Sequence, residues 1–171
     1  MQKLLVLLSS LVSLLITPVY ANSFSLGSTS FTNLSQLNAT YTCDGSDISP
    51  ELEWKNSPAK TKSFAFILAD PDAPSGTFYH WIVFNIPKNV TSFAEGMIKL
   101  PAGIQVGKNS LGGIRYNGPC PPKGATHHYI FSLYALNTTL DLASGTDATS
   151  IIHAMQNHIL GVAELKAVYE H

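Results

Sequence analysis

The sequence predicts a mainly β protein, a two-sheet antiparallel β-sandwich with one main helix in its C-terminal region. Three observations lead there. Apolar or alternating runs of strand length recur at 63–69 (SFAFILA), 80–87 (HWIVFNIP), 127–136 (HHYIFSLYAL) and 163–170 (AELKAVYE). Helical periodicity is confined to one late segment. The connections are rich in Gly, Pro, Asn and Asp, which punctuate strands. Strands that follow one another, with a helix only near the end, fit stacked antiparallel sheets better than alternating βαβ units.

The chain opens MQKLLVLLSSLVSLLITPVYA. One Lys ahead of an apolar stretch from Leu4 to Ile16, then a small-residue junction, reads as a secretory signal peptide over residues 1–21, cleaved after Ala21. The apolar stretch is shorter than a membrane span. The mature domain is then 22–171, and the expected location is periplasmic or secreted. Ten basic residues stand against 11 acidic ones, for a formal charge of −1. That balance excludes a nucleic-acid footprint. In an exported chain the two cysteines, Cys43 and Cys120, are expected to form a disulfide, the other reading being two small apolar thiols.

Residues 22–40, rich in Ser, Thr and Asn, suit an extended arm with one or two edge strands. YTCDGSDISP (41–50) is a loop marked by Asp-Gly and Ser-Pro, followed by the short strand ELEW and a turn. SFAFILA is apolar throughout, as a strand covered on both faces would be. It runs into the turn cluster DPDAPSG, from which HWIVFNIP begins. Simple alternation puts His80, Ile82 and Phe84 on one face of that strand and Trp81 and Val83 on the other. Residues 88–118 are Gly-rich and irregular, with a short strand near Gln105-Val106. The helix is expected from Thr146 or Asp147 to Leu160, with Ile151, Met155 and Ile159 on one stripe and Gly161 as its stop. AELKAVYE closes the chain as a strand.

The chemistry gathers at two strand–turn junctions. One is DPDAP with His80-Trp81; the other is RYNGPCPPKGATHHY (115–129), which contains Arg115, the sole arginine. Prolines stiffen both turns. His127 and Tyr129, two apart, project from one face where the strand leaves its loop. The loop amides at Gly118, Cys120, Lys123 and Gly124 are free of any sheet ladder. If the two strands are neighbours, His80, His127, Tyr129 and one carboxylate converge on a site suited to an anion: imidazolium N–H, tyrosine O–H and amides donate, and the carboxylate orients an imidazole. The same pattern also suits a strand edge where His and Tyr simply close the core. Zinc held as His₂Asp is a weaker alternative, since no HExxH-type motif is present. So is a Cys120–His127 nucleophile, because the cysteine is flanked by prolines and expected to be oxidised.

YTCDGSDISPELEW, LADPDAP, HWIVFNIP, RYNGPCPPKGATHHYIFSLYAL and HAMQNHILGVAELKAVYE together resemble the phosphatidylethanolamine-binding protein family, in its bacterial Raf kinase inhibitor-like branch. The resemblance implies two antiparallel sheets and a small surface pocket for phosphate-like groups. It matches the family's pocket aspartate to Asp70, the first-motif histidine to His80, the second-motif histidine and tyrosine to His127 and Tyr129, and the loop to Gly118 through Cys120 to Pro122. Asp72, Pro74 and Trp81 fall in supporting places, Asp72 holding the turn, and Ala73–Pro74 is expected to be a cis bond. Two departures stand out. His128 occupies the place where the family usually has Arg, and only Ser75 to Tyr79 separate DPDAP from HW. The implied function is a non-enzymatic binding or regulatory protein for a small anionic ligand, with no cofactor and no resident metal. A protease inhibitor or another protein-partner-binding module is the alternative, and a His/Asp hydrolase a more distant one. Peripheral membrane contact is compatible with this reading; nucleic acid is not.

Overall fold

The computed structural model describes residues 23–97 and 100–171. The predicted signal peptide, 1–21, lies outside them. Nine strands and one α-helix follow in order: β1 (Ser25–Gly27), β2 (Ser35–Gln36), β3 (Leu52–Lys55), β4 (Ser63–Asp70), β5 (Phe78–Pro87), β6 (Ser92–Phe93), β7 (Gln105–Val106), β8 (Thr126–Leu136), α1 (Ala148–Met155) and β9 (Ile159–Glu170). They form a six-stranded sheet, β2-β9-β8-β4-β5-β7, and a three-stranded sheet, β1-β3-β6. The two-sheet sandwich is as expected, and its pairings are antiparallel with one exception. The short β2 runs parallel to β9, with Ser35 opposite Ala167.

The sides of β4 explain its unbroken apolar run. Phe64, Phe66 and Leu68 enter the core between the sheets, where they meet Trp54 and Phe93. Ala65 and Ile67 face the other way, into a second core with Ile82, Phe84, Ile151 and Met155. A helix of eight residues is marginal by itself. Fully burying each of Ile151 and Met155 contributes about 1.5–3 kcal/mol, which holds α1 against the sheet. Its start is capped by Asp147, whose carboxylate accepts from the Ser150 N–H at 3.0 Å.

The helix ends earlier than its periodicity suggests. His158 N–H donates to Met155 O at 2.8 Å, and Asn137 N–H takes His158 O at 3.0 Å. That draws the chain onto the end of β8, and Ile159 already stands opposite Leu136 in the sheet. Gly161 is therefore a strand residue and not a helix stop. Its neighbour Leu160 likewise belongs to β9.

The faces of β5 also differ from simple alternation. Asp70 pairs with Phe78 and Ala69 with Tyr79, but Leu68 pairs with Trp81, leaving His80 as the extra residue of a β-bulge. Ile82 and Phe84 go to the helix-side core as expected. His80 does not join them. Its ring turns toward Phe78 and Tyr129, at centroid distances of 4.6 and 5.4 Å.

The Ala73–Pro74 bond, expected to be cis, is trans; no peptide bond among the described residues is cis. Pro74 sits second in a turn closed by Gly76 N–H to Ala73 O at 3.0 Å. A trans proline fits that position, whereas a cis proline belongs one place later. Cys43 and Cys120 are joined in a disulfide across 77 positions, which fastens the 41–50 loop to the proline-rich loop.

Candidate functional site

The two proline turns meet because β4, which ends in Asp70, lies between β5 and β8. The bulge in β5 aims His80 toward the place where β8 delivers His127. Together with Asp70, Pro74, Cys120 and Pro122 these histidines wall a cavity of about 400 Å³. Phe78, Leu111 and Asn117 complete it, with Ala73 and Pro121 at its edge. A second cavity of about 270 Å³ lies beside Trp81, Arg115 and Tyr116. Trp81 therefore supports the neighbouring wall and does not face the histidines.

His127 and Asp70 form the buried polar pair of the site. Nδ1 of His127 lies 2.7 Å from Asp70 Oδ2, with the two side chains 8% and 6% exposed. The other carboxylate oxygen, Oδ1, accepts the Asp72 N–H at 2.8 Å, so Asp70 closes its own turn while orienting the imidazole. With Nδ1–H directed at the carboxylate, Nε2 is the ring atom left for a ligand.

His80 is oriented by the loop. Its Nδ1–H donates to the Asn117 carbonyl at 2.8 Å. Nε2 is buried and has no partner in the protein. Burial is the largest influence on this ring and lowers its proton affinity, outweighing the Asn117 and Gly118 carbonyls and the Asp70 charge. Tyr129, expected in the pocket wall, is fully buried behind His80 and does not line the cavity, and its hydroxyl is likewise without a partner. Burial pushes that phenol well above its usual range, so it remains a donor.

The other expected residues divide between pocket and frame. The Gly118 amide is not directed at a ligand: it donates to Asp47 Oδ1 at 2.6 Å. Gly118 is needed for close approach, since a Cβ there would lie 2.4 Å from Tyr41 O. Gly124 N–H donates to His171 O. Cys120 is oxidised, which removes the nucleophile considered with His127. Asp72 accepts from both the backbone N–H and Nδ1 of His128, at 2.8 and 2.7 Å. Those two bonds, the backbone one first, hold its carboxyl below the ordinary value. His128 thus ties β8 to the DPDAP turn on the solvent side. The ligand atoms of Asp70, His80 and His127 do not gather to metal-binding distance; among the described residues the trio that does is Cys43, Cys120 and His171.

Four contributors escaped the sequence reading, among them Leu111, which lies in the irregular 88–118 stretch. Asn117 acts through its main-chain carbonyl, which any residue supplies. Asp47 acts across 71 positions, and its only local signal was a carboxylate beside a Ser-Pro turn. Phe78, two residues before His80, shares its side by alternation, and the bulge that follows turns both away from the side of Ile82 and Phe84.

Residues 27–170 match the sequence model of the family described as phosphatidylethanolamine-binding protein. A UPF0098 protein of Methanothermobacter thermautotrophicus is 44% identical over 142 residues, covering 81% of this chain and 93% of its own. Among solved structures, CT736 of Chlamydia trachomatis, described as a homologue of phosphatidylethanolamine-binding protein (PEBP), is similar with a TM-score of 0.81 at 36% identity, covering 88% of this chain and 99% of its own. Escherichia coli YbcL, described as a member of the mammalian PEBP family, is similar with a TM-score of 0.83 at 34% identity, covering 86% of this chain and 98% of its own.

Proposed function

The chain belongs to the phosphatidylethanolamine-binding protein family, and we propose that it is an exported, non-enzymatic binding or regulatory protein that takes a small anionic group in the Asp70–His80–His127 pocket. The group is phosphate or a phosphate-bearing head-group. The observation that carries this reading is His80 Nε2, a buried polar atom of a cavity-lining residue without a protein partner, beside the His127–Asp70 pair. Leaving a buried polar group unsatisfied costs about 1–3 kcal/mol. A ligand that hydrogen-bonds to it recovers that cost, and an anion does so best once an imidazole has taken up a proton.

Binding is therefore expected to strengthen as pH falls through the histidine range. The ordinary histidine value is about 6.5. His127→Ala removes a charge-assisted hydrogen bond, about 1.5–3 kcal/mol, or roughly ten- to a hundred-fold in affinity. Calorimetric titration with inorganic phosphate and with phosphoethanolamine between pH 5 and 8 measures both effects. Equal binding by wild type and His127→Ala at every pH would refute the assignment. For export, the expected result is a secreted or periplasmic product whose N-terminus is Asn22.

A further inference from the structure

Outside the histidine pocket, one cluster combines ligand chemistry with a means of control. Cys43 Sγ lies 3.9 Å from His171 Nδ1. The donor atoms of Cys43, Cys120 and His171 all fall within 4.8 Å of one another. The Asp44 carboxylate is 2.9 Å from the same His171 nitrogen. The carboxylate also accepts from the Tyr169 hydroxyl at 2.5 Å. We propose that reduction of the Cys43–Cys120 disulfide converts this cluster into a zinc site, with Cys43, Cys120 and His171 as ligands and the fourth position open to water or to a shifted Asp44 carboxylate.

The geometry needs little change. Tetrahedral zinc, with Zn–S about 2.3 Å and Zn–N about 2.0–2.1 Å, sets neighbouring ligand atoms roughly 3.5–3.8 Å apart. The nitrogen is already near that distance from Cys43. Once unbonded, the two sulfurs must separate to about the same distance, which cysteines with Cα atoms 5.4 Å apart can do by rotation about χ1. Both cysteines are exposed, and exposed disulfides are the readily reduced ones. The chemistry balances with a dithiol reductant. It delivers two electrons and two protons to the S–S bond and leaves as its own disulfide; zinc then displaces the two thiol protons. The ligands come from three separate parts of the chain, so the metal would replace the lost covalent link between the 41–50 loop and the proline-rich loop. Cys120 also walls the histidine pocket, and the two sites share that side.

The test uses the full domain, oxidised or reduced with a phosphine under anaerobic conditions, and titrated with zinc against a chromophoric chelator. Reduced protein is expected to bind one equivalent of zinc roughly 100-fold more tightly than oxidised protein, because the sulfurs ligate only as thiolates. His171→Ala should weaken binding by about tenfold or more, and Cys43→Ser should reduce it to the oxidised level. Cobalt in place of zinc should give thiolate charge-transfer absorption and the visible bands of a tetrahedral ion. Circular dichroism follows the fold throughout. Equal zinc affinity in both redox states, an octahedral cobalt spectrum, unchanged affinity in His171→Ala, or unfolding of reduced protein in the presence of zinc would each overturn the proposal.

Discussion

At His80, burial opposes the imidazolium more strongly than the Asn117 carbonyl and the Asp70 charge favour it, and the ring's pKa falls below its ordinary 6.5. The unfolded chain then binds more protons than the folded one from pH 6.5 down to the folded value, so stability rises with pH across that interval and is lost on acidification. Asp44, Asp72 and Asp147 are shifted down from 3.8, and their contributions are lost only at lower pH, leaving the window below 6.5 to His80. The urea midpoint of the ligand-free protein should therefore drop between pH 7 and 5, with a smaller drop in His80→Gln. An identical slope in the variant would show that the ring is not held neutral. Saturating phosphate should flatten the slope in wild type, since the bound anion favours the charged ring. That His80 would stand at the junction with the DPDAP turn was legible in the pattern HW after DPDAP. Its direction was not, because a bulge depends on which residues of β4 face β5.

Among the elements, the helix-side core shows how tightly the connections are fitted. A Cβ placed on Gly107 would lie 2.7 Å from Ile151 Cδ1 and 2.9 Å from Ile82 Cγ2. Both isoleucines are fully buried, one on α1 and one on β5, so neither can move without opening the core. Gly107→Ala is expected to destabilise the domain by about 1–3 kcal/mol, read as a lower urea midpoint at unchanged slope. A neutral result would mean that α1 slides freely on the sheet. The strands at 63–70 and 126–136 were readable from their own residues, since each buries a regular set of side chains. The end of α1 was not. Residues 156–160 continue the helical stripe, yet the backbone from Ile159 onward pairs with β8 instead.

Across the whole molecule, the Cys43–Cys120 bond closes a loop of 77 positions. Loop-closure entropy assigns it about 4 kcal/mol. A domain of this size has about 5–15 kcal/mol in total, so the reduced protein should remain folded with a clearly lowered midpoint. Chemical denaturation with and without reductant measures this directly. A difference near zero would mean that the native contacts between the two loops already impose the constraint. Zinc added to the reduced protein should restore part of the loss.

The sequence by itself determined the mainly β class, the long strands, the capped start of α1, the expected pairing of the two cysteines and the two stiff turns that carry the histidines. Each of those rests on local periodicity, stiff dihedral angles or simple count. Tertiary structure alone decided that the Gly118 amide serves Asp47 and not a ligand, that Ala73–Pro74 is trans, that α1 stops at Met155, and that His80 points toward Tyr129. These depend on which distant backbone or side chain competes for the same hydrogen bond or space, and a local pattern carries no record of its competitors.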